Sequence, residues 1–435
     1  MKTFADRIGL RRLRAALAAG LCVLATGCGG GGGGGGGALP VLPAITGTTT
    51  AAGTTTSGST TASTSGSNVA AISVDVGPAG TASTVNFPFV SVRVCAPGST
   101  TVCQTIDHVI LDTGSSGLRL LASALNIRTG LTPQIDGSSA PYGECVQFVS
   151  SYAWGSVRLA DVSLAGETAP SVPVQIIGDP DFGVVPSSCS TSGAQADTVA
   201  SFGGNGLLGV SVFRQDCGSA CVGNAIPGTY YVCPSAGSCT SSTITLARQV
   251  ANPVALLASD NNGVLIQLPA IAAAGAKAVA GSLVLGIGTR SNNALGNAQI
   301  YGLDRFGNFS TTFNGHAYAQ SFIDSGSNFF FFDSSTLPGC TNAGEAGLYC
   351  PTAAQSLSAL NQGTNGTNGT VNFSIGNAQA LLAGNPTATA FDNIGGNIPG
   401  IDGFDWGLSF FFGRNVFTAL EGASTAGGTG PYVAY

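Results

Sequence analysis

The sequence predicts an all-β protein in two lobes, and three observations predict it. From Ala71 onward, short β-branched and apolar runs are broken by Gly, Asn, Asp, Pro and Ser, and the stretches 85–94, 155–164 and 263–268 alternate apolar with polar residues, the period of a half-buried strand. Helical periodicity is scarce, with only 243–257 and 355–361 reading as helices. A motif also recurs: Val109-Ile110-Leu111-Asp112-Thr113-Gly114-Ser115-Ser116-Gly117-Leu118 is echoed by Ser321-Phe322-Ile323-Asp324-Ser325-Gly326-Ser327-Asn328-Phe329-Phe330. Each copy sets an aspartate after an apolar strand and follows it with hydroxyl, glycine and hydroxyl. A β-rich chain of roughly 365 residues is large for one sandwich, so duplication into two lobes is the economical reading.

The N-terminal elements come first. Lys2, Arg7, Arg11, Arg12 and Arg14 precede an apolar run from Ala15 to Thr26 that is too short to span a bilayer, which is the pattern of an export signal over 1–27. Leu24-Ala25-Thr26-Gly27-Cys28 resembles a bacterial lipobox, with Ala25 where Leu is usual, and implies lipidation of Cys28. An ordinary signal peptide with an incidental cysteine is the competing reading. Gly29, by resemblance to Gram-negative lipoproteins, points to the outer membrane. Residues 28–70 open with nine glycines and continue in Ala, Thr, Ser and Gly, a composition that cannot offset its ordering entropy and so predicts a tether. Two lobes follow, expected at 71–258 and 259–435.

Charge narrows the partners. Only 8% of the 435 residues are charged, 15 basic against 21 acidic, and five of the basic ones sit in the export segment. The remainder is acidic, which argues against nucleic acid. Setting aside Cys22 and Cys28 leaves ten of the 12 cysteines. An even number in an exported chain reads as disulfides, with Cys95–Cys103 and Cys340–Cys350 the expected loop staples. Cys145–Cys189 and pairings among Cys217, Cys221, Cys233 and Cys239 are less determined. No C-x-x-C pair occurs and there are only two histidines, so neither a metal nor another cofactor is expected.

Each motif has a second echo downstream. Gly206-Leu207-Leu208-Gly209 follows the first, and Trp406-Gly407-Leu408-Ser409 follows the second at a similar distance. An aspartate leaving a buried strand into a tight turn is held rigidly, and the adjacent glycine admits another backbone. Two such turns facing each other would bring two carboxylates together. They cannot both ionise cheaply, so they share a proton, giving one general base and one general acid.

Asp112 to Leu118 and Ile323 to Ser327 resemble the two active-site motifs of pepsin-like aspartic peptidases, whose catalytic aspartates share one proton. The resemblance covers roughly 75–435 and extends to a group of bacterial lipoproteins of unknown function. It implies a two-lobed β-barrel fold with the active-site cleft between the lobes. It implies Asp112 and Asp324 as the catalytic pair, Thr113 and Ser325 interlocking the turns, Ser115 and Ser327 bonding the outer carboxylate oxygens, and Gly114 and Gly326 completing the support. Tyr152, in Tyr152-Ala153-Trp154-Gly155-Ser156, resembles the flap tyrosine that closes over substrate. Three departures stand out: Arg119 for the usual tryptophan, Ser409 for the second glycine, and Asn328 followed by Phe329 to Phe332.

The resulting expectation is a monomeric, membrane-tethered aspartic endopeptidase of a Gram-negative envelope, acting on peptide or protein substrates. The alternative is a catalytically silent envelope lipoprotein of the same fold that binds peptide or glycan. His108 and His316 lack an evident nucleophile partner and read as structural. The Asn-Gly-Thr repeats at 365–369 read as a flexible loop.

Overall fold

The computed structural model describes residues 67–81, 84–149, 151–398 and 402–435. The expected export segment, Cys28 and nearly all of the expected tether lie outside the described residues. The architecture is mostly β, with short helices confined to Val199–Phe202, Ala220–Gly223 and Ala378–Gly384 among the described residues. No described helix is long and apolar enough to cross a membrane.

Strands group around the two aspartate turns. In the N-terminal half, Pro88–Cys95 pairs antiparallel with Cys103–Asp112, and Cys95 meets Cys103 in register where the disulfide closes the hairpin. Ser151–Leu164 forms long antiparallel ladders with Tyr142–Gln147 and Glu167–Ile177. In the C-terminal half a seven-stranded sheet includes Phe309–Phe313, His316–Ile323, Gln355–Gln362 and Asn368–Ile375. A third layer joins them, in the order Val69–Val74, Val279–Leu285, Gly263–Leu268, Arg414–Ala419, Tyr432–Ala434, Ile300–Gly302. The first described strand thus belongs to a sheet built mainly from the C-terminal half.

The same knot occurs twice. Gly206–Val210 lies between Cys103–Asp112, to which it is parallel, and Ser116–Leu121, to which it is antiparallel. Asp405–Trp406 lies in the same way between His316–Ile323 and Phe330–Phe331. Each aspartate therefore emerges at the end of a strand hydrogen-bonded to a neighbour that also holds the outgoing strand. Cores on the two sides differ in composition: Val, Leu and Ile around Leu111, Leu118 and Leu208, against aromatic rings around Phe404 and Trp406.

Both sequence-predicted helices are corrected. Gln355–Gln362 is a strand whose Ala359 and Asn361 are buried at alternate positions, paired along its length with Asn368–Ile375. Its Ser, Ala, Leu and Gln content favours a helix locally, and the cross-strand pairing overrides it. The 365–369 repeats are the turn and strand start of that hairpin, with Gly366 at φ +84°. The other segment holds two short 3-10 turns, Leu246–Arg248 and Pro253–Leu256. Pro253 has no N–H for a continuing helix, and the Asn252 side chain instead caps the backbone of Val254.

Candidate active site

The strand Cys103–Asp112 ends at Asp112, and His316–Ile323 ends one residue before Asp324. Both turns bend at once because their backbones find partners in each other. Thr113 Oγ1 donates to the Ile323 carbonyl at 3.2 Å and accepts from the Ser325 N–H at 2.9 Å. Ser325 Oγ does the same in reverse, donating to the Leu111 carbonyl at 2.7 Å and accepting from the Thr113 N–H at 3.1 Å. Thr113 and Ser325 are buried, so these four bonds satisfy groups that would otherwise be orphaned away from water.

The interlock sets the carboxylates face to face. Within each turn the glycine N–H donates to its own aspartate, Gly114 to Asp112 Oδ1 at 2.7 Å and Gly326 to Asp324 Oδ1 at 2.8 Å. Ser115 Oγ donates to Asp112 Oδ2, and Ser327 Oγ donates to Asp324 Oδ2 at 3.1 Å. Each glycine also packs on the opposite acid. A Cβ on Gly114 would lie 2.4 Å from the Asp324 carboxyl carbon, and one on Gly326 would lie 2.6 Å from Asp112 Oδ1. Any side chain at either position would collide with the partner carboxylate.

Asp112 and Asp324 are each 6% exposed, and each carboxyl packs against the glycine of the opposite turn. Burial raises the Asp324 carboxyl well above its ordinary range, and the neighbouring Asp112 raises it further, against the opposing pull of the Gly326 N–H and Ser327. The pair thus retains a proton at pH values where isolated aspartates have lost theirs. Among the described residues no cluster of three or more His, Cys, Asp or Glu side chains is placed to hold a metal ion.

Behind Asp324, Gly407 rather than Ser409 is the close-packed glycine. A Cβ at Gly407 would lie 2.0 Å from the Phe329 carbonyl oxygen, as one at Gly209 would lie 2.8 Å from that of Ser115. Ser409 instead donates to the Phe391 carbonyl at 3.0 Å. The sequence echo was out of step by two residues because the strands behind the turns are short and differently continued. Asn328 serves to fasten the second turn: its amide donates to the Val85 carbonyl at 2.5 Å, while Asn86 donates to the Asn328 carbonyl at 2.8 Å.

Tyr152 is placed differently from the flap expectation. The hairpin turn precedes it, so that Tyr152 sits in the second strand opposite Gln147. Successive side chains alternate faces. Glu144 points to Arg119, so Cys145, Trp154 and Tyr152 point the other way, into a cluster with Phe182, Cys189, Tyr231 and Cys233. The Tyr152 hydroxyl lies 3.4 Å from Gln195 Oε1. Among the described residues there are five disulfides: Cys95–Cys103, Cys145–Cys189, Cys217–Cys221, Cys233–Cys239 and Cys340–Cys350. Cys145–Cys189 and Cys233–Cys239 lie in the Tyr152 cluster.

Sequence reasoning missed the partners of Arg119. This guanidinium is 1% exposed and donates to Glu144 Oε1 at 2.7 Å, to Asp216 Oδ2 at 3.2 Å and to the Ser116 carbonyl at 2.7 Å. Tyr230 donates its hydroxyl to Asp216 Oδ1 at 2.7 Å. A cation in an apolar strand must find acidic partners. With so few acids in the chain, that requirement was the available signal for Glu144 and Asp216.

Comparison with known proteins places the chain. The family described as a protein of unknown function, DUF3443, matches residues 64–435, and the chain belongs to that family. No curated protein matches the chain. Among solved structures, it is similar to the crystal structure of an aspartic proteinase from Irpex lacteus, with a TM-score of 0.46 and 14% identity over 85% of this chain and 96% of that one.

Proposed function

We propose that this DUF3443 protein is an aspartic endopeptidase, tethered to a bacterial envelope through lipidated Cys28, that hydrolyses peptide bonds with water activated by Asp112 and Asp324. The observation that carries the reading is the reciprocal packing of each carboxyl on the opposite turn's glycine, with burial and the neighbouring Asp112 raising the Asp324 carboxyl. In the proposed cycle the proton resides on Asp324, and Asp112 accepts a proton from water as the water oxygen attacks the scissile carbonyl. Asp324 donates its proton to the carbonyl oxygen, giving a neutral tetrahedral diol. Asp112 then protonates the leaving nitrogen, the C–N bond breaks, and a diol proton returns to Asp324, regenerating the starting pair. The serines and glycine N–H groups fix the carboxylate planes, so little reorganisation accompanies each transfer.

The full chain in detergent, incubated with a randomised peptide library from pH 3 to 7, is expected to cleave it. Asp112→Asn and Asp324→Asn are expected to abolish cleavage, and unchanged turnover in either variant refutes the assignment. Absence of turnover at any pH favours the silent binding protein instead. For the tether, Cys28→Ser is expected to release the protein from membranes and to block incorporation of labelled palmitate. Retention of both label and membrane association rules that site out.

A further inference from the structure

Behind the first aspartate turn lies a second pair of acids. Glu144 and Asp216 are 1% and 7% exposed and are bridged by Arg119 Nη2, which donates to both, with Glu144 Oε2 left buried without a hydrogen-bond partner. Burial raises the Glu144 carboxyl well above its ordinary range; Arg119 opposes this and Asp216 adds to it. The groups facing Glu144 are Arg119 from Ser116–Leu121, Asp216 from the segment after Gly206–Val210, and Tyr230 from Tyr230–Ser235. Gln175, from Glu167–Ile177, donates to the Glu144 carbonyl at 2.9 Å and does not titrate. Two carboxyls against one guanidinium form a neutral cluster only while one proton stays between them.

The connection to the active site is short. Arg119 Nη1 holds the Ser116 carbonyl, and Ser116 Oγ is fixed by Ser211 at 2.6 Å and by the Phe213 carbonyl at 2.9 Å. The preceding residue, Ser115, donates to Asp112 Oδ2 and accepts from the Ser211 N–H at 2.9 Å. One peptide therefore separates the guanidinium contact from the hydroxyl that orients Asp112. On its other side Arg119 grips Glu144, which belongs to the hairpin of Tyr142–Gln147 and Ser151–Leu164.

We propose that Arg119 is a positioning residue for the aspartate pair: its guanidinium fork ties the hairpin and the Asp216 segment to the backbone of the first turn and so aims Asp112. The inference rests on the aspartic-peptidase reading and names the part of the fold that enforces it. A planar fork makes these three contacts at once, which a lysine ammonium on a flexible stem does not reproduce. Loss of the proton from Glu144 leaves surplus negative charge in the cluster and pulls the fork from the Ser116 carbonyl.

The test uses the full chain as wild type, Arg119→Lys and Glu144→Gln. It measures kcat and KM across pH together with the carboxyl 13C titration of Asp324. Arg119→Lys is expected to lower kcat on the order of 10²-fold, the scale of a small misplacement, with KM within about threefold, and to move the Asp324 titration. Glu144→Gln keeps the charge balance without a proton to lose. It is expected to retain wild-type kcat at acid pH within about threefold and to lose activity at a higher pH than wild type. If Arg119→Lys does not fold, Glu144→Gln carries the test through its displaced pH limit. The inference is overturned if the folded variants lower only the melting temperature and keep the wild-type kcat, KM, pH limit and Asp324 titration. If the wild type cleaves nothing, the peptidase reading fails separately, and the Asp324 titration in Arg119→Lys decides the positioning role: moved supports it, unmoved overturns it.

Discussion

Behind Asp112 the core holds charge, and behind Asp324 it holds aromatic rings. The first turn is backed by Arg119, Glu144, Asp216 and Tyr230. The second is backed by Trp406 stacked on Phe404 at 4.3 Å, with Phe332 also stacked on Phe404 at 4.4 Å and Phe330 and Phe373 edge-on to the indole. One polar thread crosses the aromatic side: Trp406 Nε1 donates to Thr311 Oγ1 at 3.2 Å, and Thr311 donates to Asn361 at 2.7 Å. The turns themselves interlock almost symmetrically. Matching interlocks at the carboxylates are thus backed by two kinds of support, one of buried charge and one of aromatic packing.

The comparison makes testable claims, and the largest effect belongs to what the halves share. Either Asp112→Asn or Asp324→Asn should reduce kcat by about 10²–10⁴-fold, the usual contribution of positioned acid–base groups, measured on any peptide the wild type cleaves. If either variant keeps wild-type turnover, the shared-pair assignment is refuted.

Removing the support behind each turn should separate them. Arg119→Met strands Glu144 and Asp216 and should cost about 3–5 kcal/mol near neutral pH, shrinking toward acid pH as the acids take up protons. Phe404→Ala should cost a similar 3–5 kcal/mol through cavity formation, but with little dependence on pH. Denaturant unfolding of both from pH 4 to 8 checks this, and parallel pH curves would erase the distinction.

The disulfide tying the hairpin strand to the 189 loop is specific to the N-terminal half. It spans 44 residues, and replacing Cys145 and Cys189 by serine should lower stability by about 4 kcal/mol in the chain-entropy account, read from the shift in denaturant midpoint. At the smaller end, Ser325→Ala removes the bond to the Leu111 carbonyl and leaves the Thr113 N–H unpaired. A loss of about 1–3 kcal/mol is expected in unfolding experiments.

Asp324 and Glu144 have carboxyls that bind a proton more tightly folded than unfolded, while Asp136 and Asp181 shift the other way. The contribution of Asp324 and Glu144 to stability is complete below about pH 4, the range of the unfolded carboxyls, and is lost as pH rises through the raised folded values. The loss of melting temperature from acid to mildly alkaline pH should be smaller in Asp324→Asn and in Glu144→Gln than in wild type, and an unchanged loss in both would contradict their assignment.

Much of this site was legible in the chain because its chemistry is local. Asp112-Thr113-Gly114-Ser115 and Asp324-Ser325-Gly326-Ser327 each specify a turn in which hydroxyl and glycine have one workable arrangement, and duplication implied that the turns meet. What was not legible depended on distant pairing. The strand Gln355–Gln362 follows its partner rather than its own composition, and Gly407 is identified only by what its α-carbon touches. Tyr152 follows the hairpin turn rather than leading into it, and alternation along the strand then sets it on the face of Cys145 and Trp154. Glu144 and Asp216 lie 25 and 97 residues from Arg119, so that no short window contains the buried cluster.

The central claim is that Asp112 and Asp324 act as one proton-sharing pair. Carboxyl 13C titration of Asp324 in wild type and in Asp112→Asn tests it most directly. The account predicts that Asp324 keeps its proton well above the ordinary aspartate range and titrates lower once the charge at position 112 is removed. Titration of Asp324 in the ordinary range, unmoved by Asp112→Asn, would contradict it.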